Sequence, residues 1–369
     1  MRDLRFIWQY GRVFVFLEVV FVRKITIRTL YIELTSACNL KCRYCYNKSG
    51  EGIDNLEFDQ LVSFLNSIKP YWSSEKREVF LSGGEPLLYD KYFDVIVETH
   101  KLGYDVYLVT NGCSLTFDVM LKISPYIKGV QISLDGCSPD IHDYFRGEGS
   151  FCKTVKNMRS FNEEMLKKIR TRISIGKKNC ASVIDYIDFC RDLGIAGVQF
   201  GLIRKQGRGR THYESIYELS TEEIYNLKFA IDEKKEALSA FRFDVGLFDV
   251  EGGNCILTEE NPLIDMRIDS FGDIYPCHGF YSLEFRMGNI FNNTDEEIFD
   301  GEKTHAIFDD LRERRKSLHD CQKCMWREHI CHGGCPAVAY MLFGDIYNLD
   351  DKCELRSKFW RNIISQGRH

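Results

Sequence analysis

The chain has 369 residues with a net charge of −5, 44% hydrophobic and 28% charged. That length allows two or three domains of about 150 residues and a core that needs no disulfide staples. The charge excludes a globally basic nucleic-acid binder, and 7 prolines argue against a disordered chain.

Residues 13–22 read VFVFLEVVFV after Arg2, Arg5 and Arg12. Glu18 interrupts the run, Arg23 and Lys24 follow it, and no small-residue cleavage site is present, which argues against a signal peptide. The run is shorter than the roughly 20 residues that span a bilayer. A strand or hairpin packed on the domain is expected, with interfacial membrane contact or leader-peptide binding as alternatives.

From residue 31 short apolar runs alternate with helical patterns. Strands are predicted at 31–34, 78–82, 105–110, 127–133, 170–175 and 198–203, each rich in Val, Ile, Leu or Tyr. Helices are predicted around 57–69, 90–102, 115–124, 151–165 and 181–193. In the first of them Phe58, Leu61, Val62, Leu65 and Ile68 recur at helical spacing. The alternation implies an α/β fold with a parallel sheet, curled or open. Chemistry in such folds sits at the carboxyl ends of the strands. A helix at 220–240, capped by Ser220 or Thr221, is predicted to link this domain to the next. After residue 250 glycines and turns multiply and seven cysteines follow, which implies a small metal-stapled domain.

The chain holds 15 cysteines, an odd number, many of them two to six residues apart. In a long chain this favours metal over disulfides and points to a reducing, cytoplasmic setting. The first strand leads into Cys38, Cys42 and Cys45, three thiols on an eight-residue loop. Iron–sulfur clusters usually take four cysteines. Three would leave one iron open to substrate. Zinc, or three unrelated thiols, stand as alternatives.

The spacing C-x3-C-x2-C after the first strand, with Tyr44 before the third cysteine, resembles the signature of the radical S-adenosylmethionine (SAM) superfamily. Gly83-Gly84-Glu85-Pro86 after the second strand is similar to its GGE motif. Glycines let a backbone approach a ligand closely, and exposed carbonyls, with Glu85, would hold the methionyl ammonium group. Asn111 follows the third strand, and Ser133-Leu134-Asp135-Gly136 follows the fourth. The resemblance assigns Ser133 to the cofactor, together with Arg146, one residue later than the family pattern. Asp135 is equally readable as a plain turn residue. The expected SAM-binding set is thus Tyr44, Gly83, Gly84, Glu85, Pro86, Asn111, Ser133, Asp135 and Arg146. After the sixth strand, the basic glycine loop from Arg204 to Arg210 would hold a carboxylate or an acidic peptide, or else be solvated.

The cysteines Cys255, Cys277, Cys321, Cys324, Cys331, Cys335 and Cys353 resemble those of the SPASM domain, with four residues between Gly272 and Cys277 as in that pattern. Two spacings run slightly long. The resemblance assigns Cys321, Cys324, Cys331 and Cys353 to one auxiliary [4Fe–4S] cluster and Cys255, Cys277 and Cys335 to another. The fourth ligand of the second is open, with Asp265 and Asp269 nearby in sequence. Structural zinc is the alternative for this domain. Cys113, Cys137, Cys152, Cys180 and Cys190 are left as buried structural thiols.

The resemblance implies a partial (β/α)6 TIM-type barrel followed by a SPASM domain. The expected divisions are an extension at 1–28, a barrel at 29–219, a helical linker at 220–254 and a SPASM domain at 255–369. It implies SAM and three [4Fe–4S] clusters, one binding SAM and two auxiliary. The implied reaction is reductive SAM cleavage and hydrogen abstraction from a peptide or protein, by a maturase crosslinking or otherwise modifying a ribosomally made precursor. A flavodoxin- or ferredoxin-type donor is expected. Some 28 residues precede the first barrel strand, too few for a leader-binding domain, so a separate leader-binding protein or the barrel itself would serve. Neither nucleic acid nor a transmembrane segment is expected.

Anaerobic sulfatase maturases are the runner-up. They place an aspartate after the cysteine matching Cys277, where this chain has His278. That histidine is readable as a base or as a structural group. A non-catalytic iron–sulfur or zinc protein is the remote alternative, and it would not need both the cysteine loop and GGEP.

Overall fold

The computed structural model describes residues 24–74, 76–238, 240–244, 255–327 and 331–365, and the backbone of two strands at 5–9 and 12–16. Those strands, β1 (Arg5–Gln9) and β2 (Arg12–Phe16), form an antiparallel hairpin. The rest of the apolar stretch, 17–22, lies outside the described residues.

The barrel strands are β3 (Thr26–Thr35), β4 (Glu78–Gly83), β5 (Asp105–Thr110), β6 (Gly129–Ser133), β7 (Ile169–Ile175), β8 (Gly197–Leu202) and β9 (Arg242–Asp244). They pair in parallel, each with the next. The helices between them are α1 (Phe58–Ser67), α2 (Tyr92–Lys101), α3 (Phe117–Ile123), α4 (Pro139–Arg146), α5 (Ser150–Arg159), α6 (Glu163–Leu166), α7 (Val183–Asp192) and α8 (Thr221–Ala237). The fold has the parallel α/β sheet that the alternation implied, in the TIM-type architecture that the resemblance implied.

Period-two patterning explains the layering. Leu30, Ile32, Leu34, Val79, Leu81, Val106, Leu108 and Ile173 are fully buried and pack in one core with helix residues such as Leu61, Leu65, Val95 and Ile96. The intervening positions Tyr31, Glu33, Phe80, Ser82, Tyr107, Ser133, Arg172 and Ser174 line the barrel interior.

Several elements differ from the predicted ones. The first strand starts earlier, at Thr26. The predicted 151–165 helix is two, because the Asn162 side chain accepts a hydrogen bond from the Met165 N–H and caps a new turn. The short helix α4 was not predicted. Proline opens it, and it ends at Gly147 with φ of 114°. Ser220 caps α8 in a capping box with Glu223.

The C-terminal region shares the barrel's sheet. Strand β10 (Leu263–Ile268) runs parallel beside β3, and β11 (Asp273–Tyr275) and β12 (Gly288–Asn289) continue antiparallel at the edge. Ile264, Met266 and Ile268 are fully buried. Helices α9 (Asp295–Asp300), α10 (Glu302–Ser317), α11 (Pro336–Phe343) and α12 (Cys353–Ser365) complete the region. Lys358 of α12 pairs with Glu222 of α8. Among the described residues no helix is long and apolar enough to cross a membrane.

Candidate active site

The cysteine loop leaves β3 at Thr35 and is held by backbone contacts from three directions. Gly84 N–H donates to Thr35 O at 2.7 Å and Glu85 N–H to Ala37 O at 2.8 Å. Arg43 N–H donates to Phe145 O at 2.8 Å. Arg208 donates from its backbone N–H to Cys45 O and from Nε to Cys42 O, both at 2.9 Å. A Cβ on Gly84 would lie 2.1 Å from Ala37 O, and one on Gly207 2.3 Å from Cys45 O. These glycines therefore permit close approach to the cysteine loop itself. The basic loop from Arg204 to Arg210 clasps this loop through Arg208 rather than standing solvated.

Cys38, Cys42 and Cys45 lie together beside the cavity, and among the described residues no two cysteines form a disulfide. Burial, then neighbouring thiols and Glu85, pushes Cys38 up to about 11 despite an opposing backbone hydrogen bond. Burial also raises Cys42. Thiols this reluctant to ionise suit coordination, because a bound cation deprotonates them. Among the described residues no three His, Cys, Asp or Glu side chains converge on a single-ion site. Three thiols at one cavity, none in a disulfide, are donors of the kind that hold iron–sulfur clusters.

Asp135 is fully buried and far from a plain turn residue. Its carboxylate accepts from Tyr44 Oη at 2.6 Å, Arg146 Nε at 2.6 Å and Ser174 N–H at 2.9 Å. Its N–H donates to His142 Nδ1 at 3.1 Å, and its carbonyl accepts from Asn179 Nδ2 at 2.9 Å. Arg146 also donates to the Tyr44 hydroxyl, and its Nη1 lies 3.9 Å from Cys42 Sγ. Burial works against the Arg146 charge, but Asp135, Tyr44 and Cys42 outweigh it and keep the guanidinium protonated. Helix α4 delivers His142 and Arg146 to this network.

Gly83, Gly84, Asn111, Ser133 and Arg146 line a cavity of about 600 Å³ together with the three cysteines and Tyr44. Glu85 and Pro86 are buried and are not in that lining. The Glu85 carboxylate accepts from Thr110 Oγ1 at 2.7 Å and Asn111 N–H at 2.8 Å. It joins the GGEP turn to the next strand's end, and the exposed backbone at Gly83 and Gly84 is what faces the cavity.

His278 also lines the cavity, its ring 5.3 Å from Tyr31, and Tyr31 stacks on Phe80 at 4.7 Å. Burial, then Arg204, pushes His278 down to about 4, although Asp265 opposes them. Its Nδ1 is buried without a hydrogen-bond partner.

The structure groups the remaining cysteines in two sets. Burial raises Cys255 and Cys277, and Cys335 adds to both shifts. Burial, then Cys331, Cys353 and Cys324, pushes Cys321 up to about 11. Asp265 and Asp269 have other partners. Asp265 pairs with Arg28 and accepts from Thr29 Oγ1 at 2.6 Å. Asp269 accepts from the N–H groups of Phe271 and Asp273, each at 3.0 Å. Among the leftover cysteines, burial holds only for Cys190, while Cys152 is exposed and Cys113, Cys137 and Cys180 are partly exposed.

Sequence reasoning missed the ion pair of Arg267 with Glu33, at 2.8 Å, which ties β10 to β3. Asn47 of the cysteine loop donates to the same carboxylate at 2.7 Å. It also missed Arg172, whose signal was polar residues at alternate positions of β7.

The sequence model of the Radical SAM superfamily matches residues 32–190, and that of the SPASM iron–sulfur cluster-binding domain matches residues 255–325. The chain belongs to the radical SAM superfamily and carries a SPASM domain, which makes it a radical SAM enzyme. Both domains imply SAM and iron–sulfur clusters as its cofactors. It is 26% identical over 314 residues to the antilisterial bacteriocin subtilosin biosynthesis protein AlbA of Bacillus subtilis, covering 84% of this chain and 65% of AlbA, just under two thirds. It is 26% identical to the AdoMet-dependent heme synthase of Methanosarcina barkeri, over 89% of this chain and 97% of that one. It is 25% identical to the cysteine-type anaerobic sulfatase-maturating enzyme of Clostridium novyi, over 90% of this chain and 94% of that one. The fold matches native anSMEcpe with bound AdoMet at a TM-score of 0.71 and 20% identity, covering 92% of this chain and 97% of that one. It matches Streptococcus suis SuiB bound to precursor peptide SuiA at 0.70 and 19%, covering 89% and 75%.

Proposed function

We propose that this enzyme abstracts a hydrogen atom from a peptide or protein and acts as a maturase that installs a crosslink or related modification in a ribosomally made precursor. The observation that carries this reading is the single cavity. The three cysteines, Gly83 and Gly84 of the GGEP turn, Tyr44 and Arg146 line it together with His278 of the C-terminal region. AlbA, a bacteriocin biosynthesis protein, supports a peptide substrate.

In this reading Cys38, Cys42 and Cys45 hold a [4Fe–4S] cluster that, with SAM bound, supplies one-electron cleavage of SAM to methionine and a 5′-deoxyadenosyl radical. Gly83 and Gly84 present backbone to the methionyl ammonium group, and Asn111, Ser133 and Arg146 orient the rest of the cofactor. Glu85, Pro86 and Asp135 act from behind, fixing the turn and the arginine. Tyr44 locks the cysteine loop to the barrel. The wall from β10 to His278 excludes water. Cys255, Cys277 and Cys335 hold one auxiliary cluster, and Cys321, Cys324, Cys331 and Cys353 the other, for three in all. The setting is cytoplasmic, with a flavodoxin- or ferredoxin-type donor and a precursor delivered directly or by a separate leader-binding protein.

A second reading, formylglycine formation, draws on the sulfatase-maturating relative. It would use the unpartnered His278 Nδ1 as proton acceptor in place of an aspartate. The low pKa of His278 makes it a weak base near pH 7.

Iron and sulfide counts on anaerobically reconstituted protein test the core of the proposal. About twelve irons per chain should fall to about eight in a Cys38→Ala, Cys42→Ala, Cys45→Ala variant, with loss of 5′-deoxyadenosine. Zinc in place of iron, or a wild type that does not cleave SAM, would sink it. Mass change of a candidate precursor, against that of a sulfatase peptide, separates the two readings.

A further inference from the structure

We propose that Arg172 and Arg204 form a clamp for a carboxylate of the substrate, on the cavity wall opposite the GGEP turn. The proposal deepens the reading of the cavity as a peptide site.

Both arginines line the cavity. Among the described residues neither guanidinium has an ion-pair or hydrogen-bond partner, in a barrel interior where the acids are engaged. Glu33 is held by Arg267, Asp135 by Arg146, and Asp265 by Arg28. Arg172 is half-buried on the cavity wall, and desolvation together with the like charge of Arg204 lowers its pKa. Two partly desolvated cations side by side call for an anion, because removing charge from water without a partner is costly.

Position separates this pair from the cofactor side. Arg172 stands on β7, next to Gln199 of β8 in register, and Arg204 follows β8. In sheet order these strands lie beyond β5 and β6 from the GGEP turn on β4. A Cβ built on Gly279 would lie 3.7 Å from both Arg204 Nη1 and Cys277 Sγ, so Arg204 sits against the C-terminal wall. Arg146, the arginine on the cofactor side, is already engaged by Asp135. Two planar guanidinium forks match the two oxygens of a carboxylate. The carboxylate could come from an Asp or Glu side chain or from a free peptide C-terminus.

The test uses reconstituted holoprotein saturated with SAM and measures binding by ligand-observed NMR. The probes are acetyl-Gly-Glu-Gly-amide, acetyl-Gly-Gln-Gly-amide and acetyl-Gly-Gln-Gly with a free C-terminus. Glutarate and glutaramide repeat the comparison without a peptide bond. The charged probes should bind at least about tenfold tighter than the neutral ones, as a charge-assisted pair predicts. The first and third peptides tell side-chain from terminal carboxylate. Arg172→Gln and Arg204→Gln should each remove the preference, and Arg172→Lys should keep part of it while reporting on folding. Equal binding of charged and neutral probes would overturn the clamp. So would a preference that exists only without SAM, which would assign the arginines to the cofactor's own carboxylate. A preference for glutarate without one among the peptides would keep the clamp and overturn the peptide reading.

Discussion

The two cysteine-rich regions are built differently. Loop 36–50 is gripped by the barrel through β4, α4 and the Arg208 loop, so its shape is set by protein–protein hydrogen bonds. Segments 319–327 and 331–335 are mostly short turns, organised around one fully buried side chain, Arg314 of α10. Arg314 donates to the carbonyls of Gly333, Gly334, Ile346 and Asn348. Gly333 and Gly334 take φ of 93° and 73° to turn the chain into Cys335, whose N–H donates to Asp350 at 2.8 Å. The barrel preorganises the first loop. The second rests on side-chain contacts of Arg314, Asp350, Trp326 and Arg327 and on whatever its thiols bind.

Removing bound metal should break this comparison most visibly. Chelation should abolish amide protection across 319–327 and 331–335 while leaving much of it across 36–50, read by hydrogen exchange. Equal loss in both would show that the barrel does not preorganise its loop. Next comes Arg314→Met, which takes the donor from three buried carbonyls and one part-buried one and should cost about 3–5 kcal/mol in denaturant unfolding. Auxiliary iron should fall with it, and the iron of the first loop should stay.

The pH dependence follows from His142, which is buried and pushed down to about 4 by burial and then by Arg146. The unfolded chain binds this proton near pH 6.5 and the folded one only near pH 4. Stability is therefore full above about 6.5 and declines as pH falls towards 4, by about 3 kcal/mol. Asp269, raised to about 6 by burial, acts in the opposite sense in part of that window. The measurement is thus a difference: His142→Asn should lose less melting temperature than wild type between pH 7 and pH 4.5. The smallest expected effect on stability is Gly84→Ala, about 1–3 kcal/mol of overpacking against Ala37 O. It should also weaken SAM binding, which equilibrium dialysis would detect. An unchanged affinity would show that the turn does not set the loop.

The cysteine loop, the GGEP turn and the Ser133–Asp135 element were legible because each is a local pattern at a strand's end. Arg146 was legible only through a family spacing, since helix α4 brings it 11 residues back to Asp135. The buried role of Glu85 was not legible, because its partners Thr110 and Asn111 lie one strand away.

By itself the sequence determined the strand–helix alternation, the C-x3-C-x2-C loop and the family to which it belongs, because period and spacing are local properties of a chain. Tertiary structure alone decided that β10 extends the barrel's sheet, that Asp135 is a buried hub and that Arg172 meets Arg204 in one cavity. These depend on which strands pair and which faces turn inward. Residues 32 positions apart become neighbours only when parallel strands β7 and β8 lie side by side.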